Sequence, residues 1–414
     1  MLRFPLRPAT TLWPPVLLGS QFIFNIGFYA VVPFLAIFLR DDMLLSGGLI
    51  GLILGLRTFS QQGMFIIGGA LSDRFGARAI ILIGCVIRVV GYLLLALGQS
   101  LWPIILGACL TGIGGALFSP SIEALLAKAG TQSEASGKRS RAEWFALFAV
   151  CGELGAVLGP ALGALLTGFG FRQVALAGAG VFIVALILLS FALPAAPRRT
   201  QKINILPWWT TFRQPRFVAF IIAYSSWLLS YNQLYLALPV EIQRAGGSEK
   251  DLGPLFMLAS LLIVTLQLPL ARVAHRVGAV RILPVGFLLL STAFASVALF
   301  ASTPPAEGWQ RLIPSICFVT LLTLGQMLLV PSAKDLIPRF AEESTLGAHY
   351  GALATAGGVA VLAGNLAFGG LLDEALTPST QAMYPWLLLA LFPLCSAVAM
   401  VLICRPLLTK TRFG

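Results

Sequence analysis

Gly69-Ala-Leu-Ser-Asp73-Arg74-Phe-Gly76-Ala-Arg78 separates two long apolar runs, and a weaker copy, Ala271-Arg-Val-Ala-His275-Arg276-Val-Gly278-Ala-Val, recurs 202 residues later (271 − 69). Both copies are short polar turns with an Arg-x-Gly core, and both lie between stretches that carry almost no charge. The second copy keeps the turn but puts His275 where the first has Asp73. A repeated polar turn in an apolar chain predicts paired helices crossing a bilayer, and the rest of the sequence can be read outward from it.

Of the 414 residues 58% are hydrophobic, only 11% are charged, and the mean hydropathy is +0.90. Soluble domains carry roughly 25% charged residues, so this chain has too little charge to cover itself in water. That excludes a soluble enzyme, a secreted disulfide scaffold and a disordered chain. A membrane-crossing helix needs about 20 mainly apolar residues, and twelve such runs are present. Their centres fall near residues 26, 57, 88, 113, 154, 182, 228, 261, 290, 323, 359 and 393. The runs are continuous rather than alternating, which argues against a β-barrel. The expected fold is an all-α integral membrane protein.

The net charge of +12 is a topology signal. Even-numbered spans lead into loops such as Arg74/Arg78, Lys128 to Arg141 and Arg272 to Arg281; with the two termini, one side holds 21 of the 28 basic residues. The positive-inside rule makes that side cytoplasmic, so both ends of the chain are expected there. The start, MLRFPLRPATTLWPP, lacks a cleavage-site pattern and reads as the approach to a first span. The basic residues form no single patch, which argues against a nucleic-acid partner. Six cysteines lie in apolar runs without a Cys-x-x-Cys spacing and are read as buried thiols. Neither a metal nor a cofactor is expected, because His275 and His349 lie in loops or at a span end with no cluster around them.

The longest basic loop, Pro194 to Arg216, divides six spans from six, giving a bundle at 1–193, a linker at 194–216 and a second bundle at 217–414. Gln21, Asn25, Tyr29 and Pro33 occupy one face of span 1 at four-residue spacing. Trp227, Tyr231, Tyr235 and Pro239 repeat that spacing in span 7, each 206 residues later (227 − 21). The shared offsets predict two pseudo-symmetric six-helix bundles, a known transporter plan with its site between the halves. The stripes Gln21/Asn25/Tyr29 and Trp227/Tyr231/Tyr235, with Gln61 and Gln326, are read as walls of a cavity for amphipathic or cationic organic molecules. Helix packing between the halves is the alternative.

Around the opening motif, Gly76 permits a tight turn, Gly69 a close helix approach, and Asp73 can accept hydrogen bonds from backbone amides or pair with Arg78 as a latch. Here the chain resembles the major facilitator superfamily, whose loop 2–3 signature is matched by Gly69-x-Leu71-x-Asp73-Arg74-x-Gly76-x-Arg78. Gly155-x-x-x-Gly159-Pro160-x-x-Gly163 in span 5 is similar to the signature of its drug:proton antiporter branch. Gly55-Leu-Arg57-Thr-Phe-Ser-Gln61-Gln62-Gly63, the loop motif and then Arg88 resemble the MdtH-type multidrug exporters within that branch. The resemblance implies a monomer in a bacterial inner membrane that exports organic molecules in exchange for protons by alternating access. It also implies that the span 5 seam joins the two halves, and that an acid at the inner end of span 4 completes the latch, a place for which Glu123 is the substitute. Export of one natural metabolite such as a siderophore is the first alternative, and proton-coupled nutrient uptake the second.

Charges at midplane depth are costly and usually functional. Three qualify, all in the first half: Arg57, Arg88 and Glu153. Burial favours a protonated carboxyl group and a neighbouring guanidinium favours the carboxylate. Glu153 is therefore the leading proton carrier, with Arg57, Glu123 and Arg88 as coupling candidates. Arg57 suits either a pair with Glu153 or an anionic substrate, and Arg88 suits a structural role.

Overall fold

The computed structural model describes residues 14–136, 141–193, 212–340 and 346–409. The chain ends and residues 194–211 of the expected linker lie outside the described residues, as do the side chains of Asp73, Arg74 and His275. Among the described residues all regular structure is helical.

Span 1 is α1 (Pro14–Ile37), prolonged by a π-helical turn, Phe38–Asp42. Span 2 is broken into α2 (Gly47–Gln62) and α3 (Phe65–Phe75) at Gly63-Met64, a division the apolar run does not reveal. Spans 3 to 6 are α4 (Ala77–Leu97), α5 (Leu101–Ala135), α6 (Arg141–Thr167) and α7 (Phe171–Ala192). Spans 7 to 12 follow as α8 (Pro215–Arg244), α9 (Leu252–Val277), α10 (Ala279–Ala301), α11 (Ile313–Leu336), α12 (Leu346–Leu371) and α13 (Met383–Thr409). Each of the twelve expected centres falls inside one of these helices.

Among the described residues, eleven spans are long and apolar enough to cross a bilayer by themselves. The twelfth, α8, is 30 residues long but carries Tyr224, Ser226, Ser230, Asn232, Gln233 and Tyr235, all buried in the protein rather than facing lipid. Polarity is tolerated there because neighbouring helices satisfy it.

The two halves pack alike. The first span lies on the fifth (α1 on α6, α8 on α12), and the third on the fourth and sixth (α4 on α5 and α7, α10 on α11 and α13). The second lies on the fourth (α2 on α5, α9 on α11). The halves meet along α2–α12 and α6–α9, two seams that the same exchange of halves interconverts. The repeated turn is repeated in conformation too: Gly76 and Gly278 have φ +89° and +90°, a region costly for any residue with a Cβ.

Between α2 and α12 the backbones touch. A Cβ at Gly47 would strike Gly369 O, one at Gly51 would strike Asn365 O, and one at Gly55 would come 3.0 Å from Leu362 Cα. Glycines four residues apart on one helix face permit such an approach.

Candidate functional site

At the centre, α1 meets α8. The Tyr29 and Tyr231 hydroxyls are 3.2 Å apart across the halves, and Tyr235 donates to Tyr231 at 3.5 Å. Phe256 of α9 stacks on Tyr235 with ring centroids 5.6 Å apart, Phe28 meets Tyr235 edge-on at 6.4 Å, and Trp227 continues the row with its centroid 5.9 Å from that of Tyr231. The expected stripes do come together, but as a packed aromatic cluster rather than as open walls. Gln21 and Asn25 turn away from it: Asn25 Nδ2 donates to Gly152 O at 2.8 Å, and Gln21 Nε2 lies beside Gly152. The first two members of the span 1 stripe therefore pack on α6. Gln326 is half-buried on α11 and makes no side-chain hydrogen bond among the described residues.

Two arginines lie beside the cluster. Arg57 is 4% and Arg88 1% exposed. Arg57 Nη2 donates to Gln61 Oε1 at 2.9 Å, and its guanidinium sits 4.7 Å from the Phe28 ring centre. Arg88 Nε donates to Thr111 O at 3.0 Å; its guanidinium lies 4.0 Å from the Phe24 ring, 5.0 Å from Phe182 and 5.6 Å from the same Phe28 ring. The slot that holds them is cut by Gly112-Ile-Gly114-Gly115 of α5. A Cβ at Gly112 would strike Arg57 O; one at Gly114 would meet Arg88 Cγ; one at Gly115 would meet Arg88 Nη2 and Gln61. Among the described residues neither arginine is paired with a carboxylate. The Arg57–Glu153 pair, one of the two readings for Arg57, is absent from this arrangement, because α2 aims Arg57 at Gln61 on its own face while Glu153 lies beside Ser260 of α9.

Glu153 of α6 is half-buried at the seam between the halves, beside Ser260 of α9 and within electrostatic reach of Tyr29 and Tyr231. Glu123 of α5 is exposed and faces Lys334 of α11, again across the halves. A chain of buried amides crosses the divide as well. Asn232 Nδ2 donates to Thr58 Oγ1, Asn365 Nδ2 to Asn232 Oδ1, and Gln233 Nε2 to Asn365 Oδ1, each at 3.1 Å.

The glycines of the span 5 motif serve a different contact from the one expected. Gly155 abuts Phe22 O and Asn25, Gly159 abuts Tyr29, and Gly163 abuts Ala30 O and Phe34, so the motif packs α6 on α1 within one half. The same helix does join the other half, but through Pro160 and Ala164 against Gly253. In the loop motif, the close approach belongs to Gly68, whose Cβ would strike Ala116 O; the nearest atom to Gly69 is Pro120 Cβ at 3.9 Å. Arg78 Nη2 donates to Ser190 O at 2.6 Å and so ties this turn to the end of α7. The Asp73 and Arg74 parts of the latch lie outside the described residues.

At the opposite end of the molecule, Arg40 Nη1 pairs with Asp373 Oδ1 at 3.1 Å, and Asp373 Oδ2 accepts from Gly47 N at 2.8 Å. Sequence reading missed Asp373, since no motif surrounds it. Beside this contact, Ile37 and Arg40 of the first half and Pro239, Gln243 and Glu249 of the second line a pocket of about 110 Å³.

Two pseudo-symmetric helical halves meeting at a buried aromatic and charged centre are the plan of a multi-pass membrane transporter. The sequence matches the Major Facilitator Superfamily over residues 17–365, and the chain belongs to that family. It is 35% identical over 366 residues to an MFS-type transporter of Mycobacterium tuberculosis (strain ATCC 25618 / H37Rv), covering 87% of this chain and 86% of the relative. It is 31% identical over 373 residues to the multidrug resistance protein MdtH of Aeromonas hydrophila, with 88% of each covered. Among solved structures, a POT family transporter in complex with a thioalcohol-conjugated peptide superposes with TM-score 0.78 at 14% identity over 95% of this chain and 96% of the other. The nucleoside transporter NupG also gives 0.78 at 14% identity, over 94% and 99%. At that identity the likeness is one of fold.

Proposed function

We propose that this chain is a proton-coupled exporter of organic small molecules, working as a monomer in a bacterial inner membrane with both termini cytoplasmic. The observation that carries the reading is the position of Glu153, a half-buried carboxyl group at the seam between the halves, beside Ser260 and near the Tyr29–Tyr231 contact. A carboxyl group there changes its surroundings whenever the halves rock, and so can take a proton on one side and release it on the other. The tyrosine contact is the barrier that rocking must part. The biased basic residues favour the orientation, and the relatives named as multidrug resistance proteins favour export of organic compounds. The division at 194–216 and the Asp73 latch belong to the same reading: each half moves as a body, and the latch holds one of the two states.

The test is flux in proteoliposomes. Efflux of an organic substrate should follow an imposed pH gradient, and Glu153→Gln should leave binding intact while abolishing the response to the gradient. Unchanged gradient-driven flux in that variant removes Glu153 from the mechanism. Asp73→Asn should slow turnover several-fold.

A further inference from the structure

Four buried polar atoms near the centre of the first half have no hydrogen-bond partner: Arg57 Nε, Arg88 Nη1, Arg88 Nη2 and the Tyr92 hydroxyl. All four can donate a hydrogen bond, and the three on arginine can do nothing else. Gln61 Oε1, on the same face of α2, accepts from Arg57 Nη2. The guanidiniums share one aromatic ring, Phe28, and neither has a carboxylate partner among the described residues.

Burying a lone cation costs several kcal/mol even after relaxation. Arginine does not escape the cost by losing its proton. Ring contacts return about 2 kcal/mol each when desolvated, but they leave the N–H groups unmatched. Two cations with four spare donors therefore form a site of one chemical preference, for an anion with several acceptor oxygens. The glycines at 112, 114 and 115 are what make room for both guanidiniums, since a Cβ at any of the three would displace an arginine or its helix.

We infer that the Arg57–Arg88 centre binds the anionic group of the transported molecule, so that the preferred substrates are aromatic carboxylates. The inference rests on the export reading for the direction of transport but not for the binding itself. Arg57 makes the first contact. It lies within electrostatic range of Tyr29, Tyr231 and Tyr235, and its neighbour Thr58 touches Asn232 of α8. When the halves part and this ring cluster opens, an aromatic body seated among Tyr29, Tyr235, Phe28 and Phe256 would place its carboxylate at Arg57. Arg88, behind Phe28, adds a second positive charge and spare donors. A planar guanidinium accepts a carboxylate in bidentate fashion, which an ammonium group cannot match.

The probes are 2-naphthoate and its neutral isostere 2-naphthamide, radiolabelled and bound to the purified full-length protein in detergent. The wild type should bind the acid at least tenfold more tightly than the amide. Arg57→Gln should remove the preference, and Arg57→Lys should restore part of it. Equal affinities, no saturable binding of the acid, or a preference that survives in Arg57→Gln overturns the inference. A preference seen only in Glu153→Gln also overturns it, because Glu153 would then be the counter-ion of the arginines in another conformation. The wild-type comparison stands even where an arginine variant fails to fold. Gradient-driven flux without an acid preference defeats this inference alone; an acid preference without gradient-driven flux defeats the export reading alone.

Discussion

Arg88 is held on every side by groups that tolerate a cation without neutralising it. Its Nε reaches a helix carbonyl, its plane lies against Phe24, and two of its nitrogens donate to nothing. Where a buried charge lacks an opposite charge, an apolar side chain of similar volume is often as stable or more so. Arg88→Met should therefore raise the melting temperature of the detergent-solubilised protein, by an amount corresponding to about 1 kcal/mol or more, while weakening naphthoate binding. A structural role for Arg88 would give the reverse, a lower melting temperature with binding unchanged. Proteins often keep such destabilising groups where function needs them. Sequence reading located this residue at depth because a single charge in an apolar run is conspicuous. It did not reveal that Arg57 and Arg88 share one slot, because the slot is made by three glycines on a different helix.

The seams between helices follow backbone contact more than side-chain identity. On α2, Gly47, Gly51 and Gly55 face Gly369, Asn365 and Leu362 of α12. The backbone carbonyl opposite Gly51 cannot swing aside as a side chain can, so Gly51→Ala should force the helices apart. The expected loss is about 1–3 kcal/mol, the usual cost of overpacking, read as a fall in melting temperature. Gly69→Ala should be tolerated, since its nearest neighbour stays at 3.9 Å, whereas Gly68→Ala should behave like Gly51→Ala. Equal effects at Gly68 and Gly69 would sink this account. The contrast also marks how far spacing can be read. Helix positions, the repeat and the positive-φ turns at Gly76 and Gly278 were legible because each leaves a local pattern. The partner of a glycine is not local: Gly155, Gly159 and Gly163 read equally well as a seam between halves, and the structure places α1 against them. The four-residue spacing of Gly47, Gly51 and Gly55 was present in the sequence and is the signal that would have found the α2–α12 seam.

At the scale of the molecule, a carboxylate of the second half, Asp373, ties the two halves together near one end. Helix α2 begins at Gly47 after Ser46, which supplies no side-chain cap of its own. Asp373, from the other half, supplies one by accepting from Gly47 N, and pairs with Arg40 in the same geometry. A carboxylate at a helix N-terminus is favoured by the unpaired amides and by the helix dipole. The cap is worth about 1 kcal/mol, and a half-exposed ion pair adds about 0–1 kcal/mol. Both are lost when the halves part at this end, so Asp373 biases the protein towards the state in which this end is closed. Asp373→Ala, which removes both the cap and the ion pair, should remove most of that bias, a shift of about 5- to 30-fold in the balance of states. Spin labels at Leu44 and Trp309, exposed residues of the first and second half, report it by electron–electron distance measurement. The variant should gain a population at longer distance, and Arg40→Gln should gain a smaller one because the cap on α2 survives. Identical distance distributions in wild type and Asp373→Ala would show that the seam glycines, not this carboxylate, hold the end shut.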